Sequence, residues 1–286
     1  MNGVLVIGGA NADIKAKTLA AHVAATSNPA EIHVKPGGVA RNIAHNLARL
    51  GVVTDLITVL GEDANGAMIA AATQKAGVNM AHSITAKAAT GTYLAVLNAS
   101  GELITAASDM KCLTFLSKTH IEQIKNIVKE KMYILADCNL DIEILDQIAS
   151  QAAPKLIIEP VSVSKCQKLL PLLQRHSIFL ATPNLDQMEA LTQTRDIPAG
   201  ISALHRLGLQ NVVVHAGENG AYASDGKITI HIPSRAKEIF DVTGAGDAAT
   251  AGLIHGLLQN LSLAKSATIG QEVAARVIAS ELSTLE

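Results

Sequence analysis

The stretch that decides the fold runs from Asp241 to Ala248 and reads DVTGAGDA, with the apolar run Ala249 to Leu258 directly after it. Its glycines let the backbone turn tightly and bring several N–H groups together, and the run behind them has the length and composition of a buried helix. A helix start presents unpaired N–H donors and a partial positive charge. The stretch therefore predicts a cradle for a phosphoryl group.

The same letters also fit a plain turn, because Gly-Ala-Gly before a helix is common and an Asp near a helix start is often only a cap. A plain turn, however, needs neither acids at Asp241 and Asp247 nor a hydroxyl at Thr243. A carboxylate beside a bound phosphoryl group is costly unless it takes a proton or orients a nucleophile. We therefore predict that Asp247 is the base of a phosphoryl transfer.

A second glycine turn, Gly37-Gly38, opens another helix, because the apolar positions 39, 43, 47 and 50 follow helical spacing up to Gly51. Gly38 lets the backbone approach a sugar without a side-chain collision, and Asn42 can donate and accept toward vicinal hydroxyls. For Arg41 a solvated helix face is favoured over contact with a base.

The two glycine turns, some two hundred residues apart and in this order, resemble the two motifs of the ribokinase-like (PfkB) family of sugar and nucleoside kinases. The resemblance implies a three-layer, doubly wound, mostly parallel α/β sheet with a small β lid. It implies one kinase domain over residues 1–286, with the lid contributed by about 13–36 and 88–106.

The chain pattern independently favours this class of fold. Short apolar runs recur, each followed by polar residues, as expected for parallel strands with one ligand-bearing edge. The runs are Gly3 to Gly9, Val53 to Leu60, Met132 to Ala136, Leu156 to Ile158, Ser177 to Ala181 and, last, Val212 to Val214. Half-exposed strands for the lid are predicted near Glu31 to Lys35 and Thr90 to Ile104. A dinucleotide site after the first strand is the rival interpretation, but the third glycine and the immediate helix are missing.

The resemblance also implies roles for individual residues. The residues that would bind the acceptor are Asn11, Asp13, Gly38, Asn42, Asn139 and Lys165, and those that would carry out the transfer are Asp247 and the N–H groups of Gly244, Ala245 and Gly246. The residues that would bind the nucleotide are Asn184, Gly217, Gly220 and Thr243. Asp241 and Val242 match positions at which some relatives bind a monovalent cation, potassium. A loop Asx turn is the alternative for Asp13, and an Asn-Gly hairpin is the alternative for Gly220.

One position departs from the family pattern. Relatives usually carry an Asn-x-x-Glu motif whose Glu shapes the magnesium and phosphate site, whereas here Asn184 is followed by Gln187. An amide cannot supply the charge, although Asp186 or Glu189 could act through water. ATP and Mg²⁺ are therefore expected as cofactors, with the magnesium carboxylate unassigned.

The sequence segments EPVSVSK, GGVARN, TYLAVL and SDM resemble those of the pseudouridine kinase branch of the family. This similarity implies transfer of the γ-phosphoryl of ATP to the 5′-hydroxyl of pseudouridine. Ribose or another nucleoside is the alternative acceptor. A nucleoside sensor without turnover is the alternative from another class, and Gln187 is the feature that favours it.

Composition narrows the partners and the compartment. Hydrophobic residues make up 49% and aromatic residues 2%, and the net charge of −2 gives no electrostatic reason to bind nucleic acid or an acidic membrane. The three cysteines lack metal or disulfide spacing and predict reduced thiols in a cytosol. No leader pattern is visible at the first residues, and the longest uncharged stretch, 248–264, is too short and polar for a membrane span. In this family lid sheets often pair, so a homodimer is expected.

Overall fold

The computed structural model describes residues 3–280 and 282–286, within which fourteen strands and eleven α-helices form. The strands are β1 Val4–Ile7, β2 Asn11–Thr18, β3 Ala30–Gly37, β4 Thr54–Ile57, β5 Val59–Gly61, β6 Ile84–Ala86, β7 Thr92–Leu97, β8 Leu103–Asp109, β9 Tyr133–Asp137, β10 Leu156–Glu159, β11 Ile178–Ala181, β12 Leu209–His215, β13 Ala221–Ser224 and β14 Thr229–Ile232. The helices are α1 Val39–Arg49, α2 Ala64–Lys75, α3 Lys118–Gln123, α4 Lys125–Glu130, α5 Ile142–Ala152, α6 Val163–Cys166, α7 Leu169–Leu173, α8 Leu185–Thr192, α9 Ile197–Leu207, α10 Ala245–Leu258 and α11 Leu263–Ile278.

The large sheet has eight strands in the order β14-β13-β12-β11-β10-β9-β1-β4. The six strands from β12 to β4 are parallel, and β13 and β14 add an antiparallel edge. The strand β1 is buried at every position, as expected for a parallel strand covered by helices on both faces. The predicted doubly wound, mostly parallel α/β sheet is confirmed.

The small sheet is the lid of the predicted fold, with the order β3-β2-β7-β8. Its central strand β2 pairs antiparallel with β3 and parallel with β7. Only residues 8–10 separate β2 from the core strand β1, so residues early in β2 lie next to the carboxyl edge of the large sheet.

Two strand predictions differ from the structure. The run Val53 to Leu60 is split, because β4 joins the large sheet whereas β5 pairs with β6 in a separate two-stranded sheet. Val212 to Val214, the last clear strand in the sequence, lies within the longer β12; β13 pairs antiparallel with it, as the hairpin alternative for Gly220 predicts, and β14 follows. These two strands have four residues each, and β14 is mostly exposed, so neither gives a strong apolar signal.

Helix α10 is held firmly against α11 through small residues. A Cβ on Gly252 would lie 2.8 Å from the Cα of Gly270, and one on Gly256 would lie 2.7 Å from the Cα of Ser266. This close backbone approach fixes the N-terminus of α10, which carries the DVTGAGDA turn. Among the described residues no helix combines the length and apolar character needed to cross a membrane.

Candidate active site

The candidate site lies where the carboxyl ends of β1, β9 and β10 meet the N-termini of α1 and α10. Parallel pairing places Ile7 beside Ala136 and Glu159 beside Asp137. Open α/β sheets bind their ligands at this edge, because the strands deliver loops there while helix N-termini point toward the ligand.

Asp137 is a fully buried anchor for this edge. Its carboxylate accepts hydrogen bonds from the backbone N–H of Gly9 (2.9 Å) and Ala40 (3.2 Å), and from both the backbone N–H and the side-chain amide of Asn139 (3.0 Å each). Burial raises its pKa, and these hydrogen bonds oppose the rise. Asp137 thus ties together the loop after β1, the start of α1 and Asn139, a role that the sequence analysis missed.

Asp247 lies in the first turn of α10 and meets α1 through Asn42. The Asn42 Nδ2 donates to Asp247 Oδ2 at 2.9 Å. The pKa of Asp247 is raised to about 7, mainly by burial and also by the charges of Asp137 and Asp13, whereas the hydrogen bond from Asn42 and the charge of Arg41 oppose the rise. A carboxylate with a pKa near the working pH is suited to accept a proton from an alcohol.

Arg41 is buried behind this pair, so the expectation of a solvated helix face is wrong. Its guanidinium donates to Pro36 O, Asn42 Oδ1 and His45 Nδ1, each at 3.0 Å, and only 3% of the residue is exposed. Burial is the main reason that the pKa of Arg41 falls to about 10, and the charges of Asp13 and Asp247 oppose this fall. Arg41 therefore orients Asn42, which in turn holds Asp247.

The residues at 41 and 45 are one helical turn apart, and this spacing was the available sequence signal for their contact. The burial of Arg41 could not be predicted from the sequence, because it results from the packing of α1 against both the sheet and α10. The His45 Nε2 bonds to the carbonyl of Leu285 at 2.9 Å, so the chain of polar contacts extends to the C-terminal segment.

On the acceptor side, Asn11 and Asp13 lie at the start of the lid strand β2. The Asn11 Nδ2 donates to Asp13 Oδ1 at 2.6 Å, and burial raises the pKa of Asp13. A Cβ at Gly37 would collide with the Asp13 carboxylate, and one at Gly38 (φ +98) would lie 2.5 Å from Gly9 O. The glycine turn and the two polar side chains therefore form one continuous wall.

Asn139 and Lys165 meet on the same edge. The Lys165 Nζ donates to Asn139 Oδ1 at 2.6 Å, and burial lowers the pKa of this lysine. A Cβ on Gly9 would lie 2.7 Å from the Asn139 Nδ2 and 2.9 Å from the Met110 Cε. Asn139 thus closes the wall beside the loop that leads into the lid.

Glu159, at the end of β10, is a second buried carboxylate that the sequence analysis left without a role. Thr182 Oγ1 donates to its Oε2 at 2.6 Å. Its pKa is raised to about 8, mainly by burial and also by the charges of Asp247 and Asp137, whereas the hydrogen bonds from Thr182 and the Val161 N–H oppose the rise. Carboxylates that raise the pKa of a buried neighbour, as Asp247 and Asp137 do for Glu159, indicate negative charge that no adjacent cation balances. No group of three or more His, Cys, Asp or Glu side chains in the described part forms a ready metal cage.

The glycine turn before α10 is both constrained and open. Gly244 has φ +81, and a Cβ there would collide with Ser283 O, whereas a Cβ on Gly246 would meet nothing within 4 Å. The Ala245 N–H donates to Val242 O at 3.2 Å. The C-terminal segment therefore supports one side of the turn, and open space lies over Gly246.

Asp241 and Thr243 are bound by a lysine from the lid. The Lys15 Nζ lies 2.8 Å from Asp241 Oδ2 and 3.0 Å from Thr243 Oγ1, and the Thr243 N–H donates to Asp241 Oδ1 at 2.8 Å. The side chain of Val242, the other residue expected near a monovalent cation, points outward and is 66% exposed.

The structure places Asn184 at the start of α8 as its N-cap. Its Oδ1 accepts from the Gln187 N–H, and the Gln187 Oε1 accepts from the Asn184 N–H, each at 2.9 Å. Asp186 and Glu189 are both paired with the exposed Arg195. Gln187 thus completes a capping box, and both nearby acids form ion pairs with Arg195.

Gly217 and Gly220 lie in the turn between β12 and β13. Gly220 has φ +83, and a Cβ there would collide with Ile232 O, so the turn requires glycine. Beside it is a cavity of about 400 Å³ lined by Glu218, Asn219, His231, Pro233, Ser234, Ala236 and Ile239.

Comparison with known proteins agrees with this geometry. A family model described as pfkB family carbohydrate kinase matches residues 1–285. The chain belongs to the PfkB family. It is therefore a sugar or nucleoside kinase, and the resemblance inferred from the two glycine motifs is confirmed.

Two similar relatives come from Escherichia coli (strain K12). The uncharacterized sugar kinase YeiI is 31% identical over 278 residues, which are 95% of this chain and 76% of that protein. Pseudouridine kinase is 31% identical over 287 residues, which are 97% of this chain and 91% of that protein.

Solved structures share the fold over nearly the whole length. A carbohydrate kinase from Agrobacterium tumefaciens superposes with a TM-score of 0.84 at 27% identity, covering 99% of this chain and 93% of that one. Arabidopsis thaliana ribokinase complexed with ribose and ATP gives a TM-score of 0.85 at 22% identity, with 98% and 93% covered.

Proposed function

We propose that this kinase transfers the γ-phosphoryl group of ATP to the 5′-hydroxyl of pseudouridine. The observation that carries the proposal is Asp247, a carboxylate with a pKa of about 7 held by Asn42 at the N-terminus of α10. The similarity to pseudouridine kinase over 97% of the chain supports the choice of acceptor.

Asp247 would act as the general base. Its carboxylate takes the proton of the 5′-hydroxyl while that oxygen attacks the γ-phosphorus. The bond from the γ-phosphorus to the bridging oxygen breaks, and ADP leaves with the electron pair. Backbone N–H groups at Gly244, Ala245 and Gly246 would stabilise the charge on the transferred group, with the Ala245 N–H turning from Val242 O to the phosphoryl oxygens; the open space over Gly246 fits this role.

The ribose would lie against the wall formed by Asn11, Asp13, Gly38 and Asn42. Asp13 and Asn42 present carboxylate and amide groups that suit vicinal hydroxyls. Asn139 and Lys165 would contact the acceptor next to Gly9. This arrangement would hold the 5′-hydroxyl near Asp247 and limit its freedom before the transfer.

ATP would bind across the α10 turn, with Thr243 and Asn184 toward its phosphates and the turn at Gly217 and Gly220 toward its nucleoside. Mg²⁺, when bound with ATP, would neutralise negative charge on the phosphates. The residues fit such an ion held through water, because Glu159 is a buried carboxylate without a basic partner among its described contacts, and the charge of nearby Asp247 raises the pKa of Glu159.

The lid offers a surface for a homodimer. Ile32 and Val34 alternate on β3 and are 64% and 45% exposed, and Leu103 on β8 is 59% exposed. Burial of such a face in a second copy would remove apolar area from water. We keep a homodimer through the lid, in a cytosolic setting, as part of the proposal.

The test is a measurement of ADP release with magnesium, offering pseudouridine, uridine, cytidine, adenosine and ribose separately. Pseudouridine should give the largest kcat/KM, and the product should carry its phosphate on the 5′-oxygen by ³¹P NMR. The Asp247→Asn variant provides the blank. Preference for ribose or another nucleoside would reject the acceptor while keeping the kinase. Nucleoside binding without turnover would indicate the sensor.

A further inference from the structure

Lys15 connects the lid to the phosphoryl-transfer turn across 226 residues of sequence. It lies in the middle of the central lid strand β2, paired with His33 on one side and Ala95 on the other. Its ammonium contacts Asp241 Oδ2 at 2.8 Å and Thr243 Oγ1 at 3.0 Å. Strands on both sides fix the backbone of Lys15, so the lid itself delivers this positive charge.

The oxygens of Asp241 and Val242, which the family resemblance assigns to a monovalent cation, already accept hydrogen bonds from other groups of the protein. One oxygen of Asp241 accepts from Thr243 N–H and the other from Lys15. The carbonyl of Val242 accepts from Ala245 N–H at 3.2 Å, and the Val242 side chain offers no oxygen. A potassium ion requires several free oxygen ligands, so these residues do not fit one in this arrangement.

We propose that the ammonium of Lys15 replaces the monovalent cation of the phosphoryl-transfer turn, so that this kinase works without potassium. The lysine supplies the same single positive charge beside the same carboxylate. The inference rests on the proposed kinase function only for the part of its test that measures turnover.

The position of Lys15 adds a link to the acceptor. Asp13 is two residues earlier on β2 and therefore on the same face of the strand. The charge of Lys15 also influences the titration of Asp13. One lid strand thus presents the acceptor ligand and the substitute cation together, which would couple acceptor binding to the anion cradle.

The experiment compares the unmodified kinase with Lys15→Met in potassium, sodium or choline chloride at equal ionic strength. Lys17→Met is the matched control, because Lys17 lies on the same face of the same strand but is exposed. We expect less than about twofold dependence on potassium for the unmodified protein and for Lys17→Met. Lys15→Met should lose roughly tenfold in kcat/KM in choline and recover with potassium.

A second readout does not depend on turnover. Potassium should raise the melting temperature of Lys15→Met relative to choline, because Asp241 Oδ2 and Thr243 Oγ1, released from Lys15, can then bind the ion, but it should leave the unmodified protein unchanged. If Lys15→Met does not fold, Lys15→Arg keeps the charge and should behave like the unmodified protein in choline.

Three outcomes would overturn the proposal. These are strong potassium activation or stabilisation of the unmodified protein, a Lys15→Met variant indifferent to every salt, and a loss in that variant that potassium does not relieve. Absence of turnover with any acceptor would instead reject the proposed function, and the melting temperatures would still decide the role of Lys15.

Discussion

The replacement Asp247→Asn should abolish most turnover and at the same time stabilise the fold. An Asp in the unfolded chain titrates near 3.8, whereas burial raises the pKa of Asp247 to about 7 in the folded protein. Between these values the folded state binds a proton that the unfolded state does not, so stability decreases as the pH rises through this window. An amide keeps the hydrogen bond from Asn42 and carries no charge to bury.

The size of the effect follows from the pKa difference of about three units. Each unit corresponds to about 1.36 kcal/mol, so ionised Asp247 destabilises the fold by at most ~4 kcal/mol at pH 8. The side chain is partly exposed, and solvent screening reduces the expected gain of the variant to about 2–3 kcal/mol. Well below pH 3.8 the gain should vanish, because unfolded and folded Asp247 are both protonated there.

The assay is equilibrium unfolding in urea at pH 5 and pH 8, followed by circular dichroism, alongside turnover at pH 8. The free energy of unfolding should favour the variant more at pH 8 than at pH 5, while turnover falls roughly 10²–10⁴-fold, as expected for loss of a general base.

Asp63→Asn is the matched control for the stability measurement. Asp63 caps α2 and accepts from Gly66 N–H and from Thr90 N–H and Oγ1. Although burial opposes it, these hydrogen bonds lower the pKa of Asp63, so its replacement should destabilise the protein at pH 8. If Asp247→Asn is no more stable at pH 8, or gains equally at both pH values, the argument from its buried charge is refuted. Retained turnover would refute its role as the base.

Three further predictions concern the same site. In the unmodified protein, kcat/KM should rise about tenfold per pH unit below about pH 7 and level off above it, because Asp247 must be ionised; a flat profile from pH 5 to 8 would contradict this. Arg41→Met should move that rise in kcat/KM to higher pH, since the charge of Arg41 lowers the pKa of Asp247. It should also lower the free energy of unfolding by about 3 kcal/mol or more, because Arg41 is a buried charge. An unshifted pH profile in a folded variant would exclude the influence of Arg41 on Asp247. Gly244→Ala should lower the melting temperature because its Cβ would collide with Ser283 O. Gly246→Ala should keep the melting temperature but weaken ATP binding, measured by calorimetry, because its Cβ would enter the open space over the turn. Equal melting temperatures for Gly244→Ala and the unmodified protein would contradict the predicted collision.

Much of the fold was predictable because its signals are local in sequence. Short apolar runs followed by polar residues mark the parallel strands, and the glycine turns at 37–38 and 244–246 mark the helices α1 and α10. The strand near Val53 was predicted too long because its two halves belong to different sheets, and an apolar run cannot reveal a change of partner. The roles of the predicted site residues follow from the family motifs and remain predictions.

The sequence by itself determined the family, the mostly parallel α/β class of fold, and the candidate base Asp247, because each depends on residue types at short fixed spacings. Only the tertiary structure determined which side chains contact one another in the site. It buried Arg41 behind Asn42, placed Glu159 beside Asp137, and brought Lys15 to Asp241. Burial and long-range charge pairing depend on which surfaces meet after the chain has folded, and a single sequence carries no local signal for contacts across two hundred residues.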